Sequence, residues 1–277
     1  MEILNTLKFC PCCANNQEFT CQYTYEEKPI GETDFGFSDY NRKIWRCEIC
    51  GHFLSICSMD LSSLYKADYV DMTYGGIKGI KDKYDKIMNL NATDSDNLQR
   101  VDYVINYANM HFVDLDDLSL LDIGSGLGVF LGKIKEKTKW SCVAIEPDKR
   151  FADHVKNELA IEAIDQDYRD INWDRKFDII TLNKVLEHIE HPVNLLESCK
   201  RDLTSNGFIY IELPDGDQAF LDSDNYNREE FFIEHHHIFT VPSMVLLIQR
   251  AGFKVMSISR IKEPSSKYTL RAIAVAN

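Results

Sequence analysis

The run Leu118-Ser119-Leu120-Leu121-Asp122-Ile123-Gly124-Ser125-Gly126-Leu127-Gly128-Val129-Phe130-Leu131 passes from apolar residues, through an acid and three alternate glycines, into a helical pattern. Val129, Leu131 and Ile134 are spaced for one buried face of that helix. The pattern predicts a strand, a tight turn and a helix N-terminus. The glycines permit the sharp turn and leave main-chain N–H groups open to a ligand that a Cβ would keep away. Twenty-two residues past Gly124, a second apolar stretch, Cys142 to Ile145, ends in Glu146-Pro147-Asp148. An acid at the tip of the neighbouring strand is placed to accept hydrogen bonds from both hydroxyls of a ribose.

The pairing of Asp122-x-Gly124-x-Gly126-x-Gly128 with Glu146 resembles motif I and the following acidic loop of the class I S-adenosylmethionine (SAM) methyltransferases. Nucleotide dehydrogenases space the related turn as G-x-G-x-x-G, whereas the spacing here is G-x-G-x-G. The resemblance covers about residues 95–277. It implies that Asp122, Gly124, Ser125, Gly126 and Gly128 serve the methionine part and the sugar of SAM, with Glu146 and Pro147 at the ribose. It further implies Asp167 and the Tyr168 backbone near the adenine amino group, Asn183 at the amino-acid end, and Leu186 against adenine or the thioether.

From Leu118 onward, strands read at 118–123, 141–146, 161–165, 177–182, 207–213, 253–262 and 268–275, with helices near 128–138, 148–158, 192–202 and 241–251. Such alternation predicts a parallel, doubly wound α/β sheet. The last two strands are joined only by Glu263 to Lys267, a link short enough to make them an antiparallel hairpin. The fold expected is a Rossmann-like seven-stranded methyltransferase sheet, carried by residues 118–277.

Residues 1–60 hold Phe9-Cys10-Pro11-Cys12-Cys13 and Arg46-Cys47-Glu48-Ile49-Cys50-Gly51. Cys10/Cys13 and Cys47/Cys50 each enclose two residues, so each pair turns two thiolates toward one ion, and two such knuckles complete a tetrahedral Cys₄ site. Cys12 could replace Cys13 only with a changed turn. The expectation is a zinc ribbon whose metal is structural, because the segment between the knuckles is too polar to fold on a core of its own. The same residues carry five Lys/Arg and nine Asp/Glu, and the whole chain has a net charge of −13. Phosphate binding needs clustered basic residues, so a nucleic-acid partner is disfavoured.

With 277 residues, 44% apolar and 11% aromatic, the chain can bury a sizeable core plus a smaller module. No run of 18 apolar residues and no signal-peptide pattern occurs, so a soluble, cytoplasmic protein without membrane attachment is expected. Residues 61–117 read as a helical connector, with a helix from about Ser95 to His111. Tyr69 and Tyr74, the latter beside Gly75 and Gly76, are candidates for a lid over the cofactor.

On the acceptor side, Asn183-Lys184-Val185-Leu186-Glu187-His188 resembles the family's strand-to-helix motif and would bring His188 near the methyl group. A long insertion after Asp215 leads to Phe231-Phe232-Ile233-Glu234-His235-His236-His237-Ile238-Phe239-Thr240, similar to the segment that small-molecule and nucleotide-sugar methyltransferases place over the acceptor. Glu234 and His235 would then supply a carboxylate and a base titrating in the right range. In the zinc-containing sugar C-methyltransferases that segment runs Tyr-His-Glu-His. Phe232 and Ile233 replace its first two residues here, which favours oxygen over carbon methylation. The expected activity is transfer from SAM to a hydroxyl of a small acceptor, a sugar or nucleotide-linked sugar in carbohydrate biosynthesis. The alternatives are an RNA base methyltransferase, a sugar C-methyltransferase, and a SAM-binding regulatory protein without chemistry.

Overall fold

In a computed structural model the described residues are 9–14, 16, 18–37, 39–59 and 77–277. Tyr69, Tyr74 and the proposed lid therefore lie outside the described residues. The N-terminal part forms three antiparallel strands, β1 (Phe19–Tyr25), β2 (Arg42–Cys47) and β3 (Phe53–Cys57). Helices α1 (Ile77–Met88) and α2 (Asp96–His111) follow, and Ser95 caps α2 by accepting from the Leu98 N–H.

The larger unit alternates as the apolar runs require. It comprises β4 (Ser119–Ile123), α3 (Val129–Lys137), β5 (Ser141–Ile145), α4 (Lys149–Glu158), β6 (Glu162–Ile164), β7 (Phe177–Asn183), α5 (Pro192–Asp202) and β8 (Leu203–Pro214). After an insertion come α7 (Val241–Arg250) and the hairpin β10 (Phe253–Lys262) and β11 (Tyr268–Ala276). The seven strands lie in the order β10-β11-β8-β7-β4-β5-β6, and β11 alone runs against its neighbours. β8 starts at Leu203, earlier than its apolar run, because Leu203 already pairs with Phe177 across an irregularity in the ladder.

Both faces of this sheet are covered, which explains why its strands read as near-continuous apolar runs rather than alternating ones. Leu120, Ala144 and Ile179 face α2, α3 and α4 through Val104, Leu131 and Val155. Leu121, Ile145 and Ile180 face α5 and α7 through Leu196, Cys199, Leu247 and Ile248.

The insertion folds into α6 (Gly216–Leu221), two one-turn 3₁₀ segments at Asn225–Asn227 and Glu229–Phe231, and the two-residue strand β9 (His237–Ile238). β9 pairs antiparallel with β3, Phe53 opposite Ile238 and Leu54 opposite His237, so the N-terminal sheet takes its fourth strand from residues almost two hundred positions away. A separate apolar cluster forms where they meet, built from Tyr25, Ile44, Phe53, Ala219, Tyr226, Phe231 and Ile238. The N-terminal module and the insertion are packed as one body, and this contact fixes where the segment 234–236 lies.

Candidate active site

Open α/β sheets bind ligands past the carboxyl ends of their strands, and the residues singled out above gather there. Gly126 has φ +49°, and a Cβ built on it would meet nothing within 4 Å, whereas one on Gly128 (φ +73°) would strike Val155 and Leu159 at 2.7 and 2.8 Å. Gly126 therefore keeps a surface free for a ligand, and Gly128 lets the turn close on α4. The Gly126 N–H donates to Glu146 Oε2 at 2.8 Å, and the Asp148 N–H donates to Oε1 at 3.0 Å. Each carboxylate oxygen keeps a second lone pair for hydroxyl donors. Burial raises the Glu146 pKa.

Asp122 is buried, and its Oδ1 accepts from Thr181 Oγ1 at 2.6 Å and from Asn183 Nδ2 at 2.8 Å. Desolvation pushes its pKa up to about 7 against the hydrogen bonds that lower it. With its Nδ2 held this way, Asn183 keeps Oδ1 free, and that atom and Ser125 Oγ are buried with no hydrogen-bond partner among the described residues. Unpaired buried acceptors beside a carboxyl fit the cationic amino-acid end of SAM, so the residues present suit the group that the motif implies.

Three of the expected residues also have partners within the protein. Leu186 has no exposed surface and packs in the apolar core. The Tyr168 ring is buried with its hydroxyl given to Asp202, which directs the side chain into the helical layer. Asp167 caps the short turn Tyr168–Asp170 and pairs with Arg169 at 2.6 Å, so its carboxylate is already engaged.

On the acceptor side, His188 Nδ1 lies 2.8 Å from the Glu234 carbonyl and His235 Nδ1 lies 2.9 Å from the Glu230 carbonyl. The two rings are 5.0 Å apart. Backbone carbonyls thus orient both imidazoles, and the Glu230 carbonyl takes the place expected for the Glu234 side chain beside His235. Burial keeps both rings neutral, with His188 lowered to about 4. Glu187, which lies inside the quoted motif but was not singled out as a site residue, is fully buried next to them, and the His236 N–H donates to its carbonyl at 2.8 Å. Burial pushes the carboxyl of Glu187 up to about 8 and that of Glu234 up to about 7. The three consecutive histidines divide: His235 joins this group, and His237 is buried against the N-terminal module, its Nδ1 3.0 Å from His52 Nε2.

The four expected thiols converge. Cys10 and Cys50 sulfurs are 3.6 Å apart, those of Cys13 and Cys47 are 3.5 Å apart, and all four lie within 4.8 Å of one another. Tetrahedral zinc with Zn–S of about 2.3 Å needs sulfurs roughly 3.8 Å apart, so the set fits a metal ion. Cys13, rather than Cys12, completes it; Cys12 is buried beside Cys10, and the turn closes through the Ala14 N–H onto the Cys10 carbonyl at 3.0 Å. The second knuckle closes likewise, Gly51 N–H to the Cys47 carbonyl at 2.8 Å.

The strand order, the glycine turn and the acid at the tip of β5 together define a class I methyltransferase fold. The chain belongs to the family described as Methyltransferase domain, whose model matches residues 89–258. Among curated proteins, a tRNA U34 carboxymethyltransferase of Aliarcobacter butzleri is 27% identical over 152 residues, 52% of this chain and 49% of that protein. A ubiquinone biosynthesis O-methyltransferase of Rickettsia typhi is 23% identical over 117 residues, 40% of this chain and 47% of that protein. The chain spans about half the length of these curated relatives. Among solved structures, magnesium protoporphyrin IX methyltransferase from Synechocystis PCC 6803 with bound SAH aligns with TM-score 0.56 at 14% identity, covering 76% of this chain and 97% of that one. The plantazolicin methyltransferase in complex with SAH aligns with TM-score 0.55 at 17% identity, covering 72% and 90%. At these identities the likeness is one of fold. No helix among the described residues is long and apolar enough to cross a membrane.

Proposed function

We propose that the chain transfers a methyl group from SAM to an oxygen of a small hydroxylated acceptor. The observation that carries this reading is the meeting of two groups of side chains at one end of the sheet. Asp122, Ser125, Gly126, Glu146 and Asn183 offer acceptors and a free backbone surface. The turn that follows Asn183 carries His188, and His188 and His235 are two imidazoles held by backbone carbonyls.

SAM supplies a methyl group already activated on its sulfonium, so little covalent work is left to the protein. Glu146 accepts from the ribose hydroxyls, and Asn183 Oδ1, backed by Asp122, accepts from the ammonium. Asp167 and the Tyr168 backbone border the adenine, with Pro147 after the ribose acid, and Tyr69 and Tyr74 are proposed to cover the cofactor. His188 and His235, with Glu234, are proposed to receive the acceptor's proton; burial lowers both imidazoles below the range the sequence suggested for a base, so they are weak bases that act by position, their Nδ1 atoms held by backbone carbonyls. The ribbon, residues 1–60, is proposed to hold structural zinc at Cys10, Cys13, Cys47 and Cys50 and, through β3, to set the acceptor segment. Residues 61–117 form the connector.

A sugar or nucleotide-linked sugar is one such acceptor, and the relatives above do not add to that choice. Incubation with labelled SAM and a panel of nucleotide sugars, phenols and short peptides, scored by mass shift, tests the reading. Glu146→Ala is expected to weaken SAM binding by about 1–3 kcal/mol, the scale of losing hydrogen bonds to a charged group. A tRNA acceptor is the second reading, favoured by the relative from Aliarcobacter butzleri. Against it stands the net charge of −13, and salt-dependent retention of tRNA by the purified chain would support it.

A further inference from the structure

We propose that Glu187, His188 and His235 form a second metal centre, separate from the cysteine cluster, which takes one divalent transition-metal ion and keeps open positions on the side of the imidazoles. One ligand atom from each lies within 4.8 Å of the others. That span is within reach of a single ion bound at about 2.0–2.2 Å once the side chains close on it.

Three independent observations point the same way. Glu187 is fully buried, and neither carboxylate oxygen has a hydrogen-bond partner on another described residue. A carboxyl left so is costly and calls for a partner that the described protein does not supply. The second observation is the tautomer of the imidazoles. A carbonyl oxygen can only accept, so the contacts from the Glu234 and Glu230 carbonyls place the proton on Nδ1 of both rings and leave a lone pair on each Nε2. Metal-ligating histidines are prepared in this way by outer-shell acceptors. Thirdly, the frame is built before any ion arrives. The His236 N–H to Glu187 carbonyl bond ties the two segments together, and β9 anchors the second of them to β3.

The donor set decides the class of ion. Two imidazole nitrogens and one carboxylate suit Zn²⁺, Fe²⁺ or Co²⁺ better than Ca²⁺ or Mg²⁺, which prefer all-oxygen shells. Three protein ligands leave positions for water or substrate. Glu187 is buried while His188 and His235 are half-buried, so solvent and small ligands reach the group from the side of the imidazoles. If the transferase reading holds, on which this consequence rests, the acceptor is a molecule presenting one or two adjacent oxygen donors to the ion. The Nε2 atoms then serve as ligands in place of acting as the base.

The test is a Co²⁺ titration of the stripped full-length chain, followed by absorption and by elemental analysis after gel filtration. Two equivalents are expected. One carries thiolate-to-metal charge transfer from the cysteine cluster, and the other shows only the weak bands of a nitrogen and oxygen site. His235→Ala and Glu187→Gln should each weaken the second equivalent by more than the 10–100-fold typical of losing an outer-shell partner, while the thiolate bands persist as proof of folding. His235→Gln serves where the alanine variant unfolds. Uptake of a single, thiolate-bound equivalent by the wild type would overturn the proposal, as would an undiminished second equivalent in the variants. SAM binding and methyl transfer are measured separately. A second ion without transfer to any acceptor would sink the transferase reading alone, and equal transfer rates with and without the second ion would sink its use toward the acceptor.

Discussion

His52 and His237 meet in a contact closed to solvent, Nε2 to Nδ1 at 3.0 Å, with the rings stacked 5.2 Å apart. His52 follows the second cysteine knuckle directly, and His237 lies two residues past His235. The Thr240 hydroxyl donates to the Cys50 carbonyl at 2.8 Å close by. The cysteine cluster and the segment 235–240 are therefore mechanically linked.

Removing the zinc proposed at the cysteines, or replacing Cys50 with Ser, should loosen β9 from β3. The expected outcome is faster amide exchange across 235–240 and a raised KM for the acceptor, with the SAM Kd nearly unchanged because the residues proposed to bind it, Gly126, Glu146 and Asn183, take no part in the β3–β9 pairing. His237→Ala should cost about 1–3 kcal/mol of stability, since His52 would keep a buried polar nitrogen without its partner. Chemical denaturation and exchange mass spectrometry check both.

The glycines of the turn should separate folding from binding. Gly126→Ala places its Cβ in open space and costs only the left-handed backbone penalty of about 1–2 kcal/mol. It should leave a folded protein with strongly reduced SAM affinity by calorimetry. Gly128→Ala adds the clash with Val155 and Leu159, where overpacking of about 1–3 kcal/mol joins the backbone penalty, and its main effect should be a lower Tm.

Asp122 should make SAM binding depend on pH. Its native carboxyl titrates near 7, above the ordinary 3.8, because it is desolvated. Between those values the native state holds a proton that the unfolded chain has released. The group's contribution to stability is thus largest below pH 4, falls as pH rises toward 7, and is level above it. A cation bound in the crevice favours the ionised form, so binding near pH 7 should release protons and tighten as pH rises. One unit of pKa lowering corresponds to about a tenfold gain in affinity. Calorimetry in buffers of differing ionisation enthalpy measures the release, and Asp122→Asn should abolish it.

Glu212 is expected to be a stability residue. Its carboxylate, with no exposed surface, pairs with Arg100 of α2 through two nitrogens and with Arg271 of β11 at 3.1 Å, and also accepts from the Tyr210 hydroxyl at 2.6 Å. The two guanidinium groups hold its pKa well below the usual carboxylate range. Glu212→Gln removes the carboxylate paired with Arg100 and leaves Arg271 only Glu263, at 3.9 Å, and should cost about 3–5 kcal/mol by denaturant unfolding.

Much of the larger unit was legible in the chain because its signals are local. Apolar runs such as Leu120–Ile123 and Val143–Ile145, the glycine turn and the short link from Glu263 to Lys267 each act within a few residues. The paired thiols of each knuckle likewise follow from their two-residue spacing. The acceptor side was only half legible. The titratable character of His188, Glu234 and His235 is plain in the sequence, but the burial of Glu187 is not, because one glutamate in a polar stretch shows nothing of its surroundings.

By itself, then, the sequence determined the alternation that builds the sheet, the turn at Gly124 to Gly128 and the grouping of the cysteines into knuckles, all products of contacts between near neighbours. Only the tertiary structure decided that β9 completes the sheet of the N-terminal module, that His235 and His237 face different partners, that Leu186 is core, and that the carbonyls of Glu230 and Glu234 orient the imidazoles. Those outcomes come from the joint burial of Phe53, Phe231 and Ile238, whose pairing across nearly two hundred residues leaves no local mark on the chain.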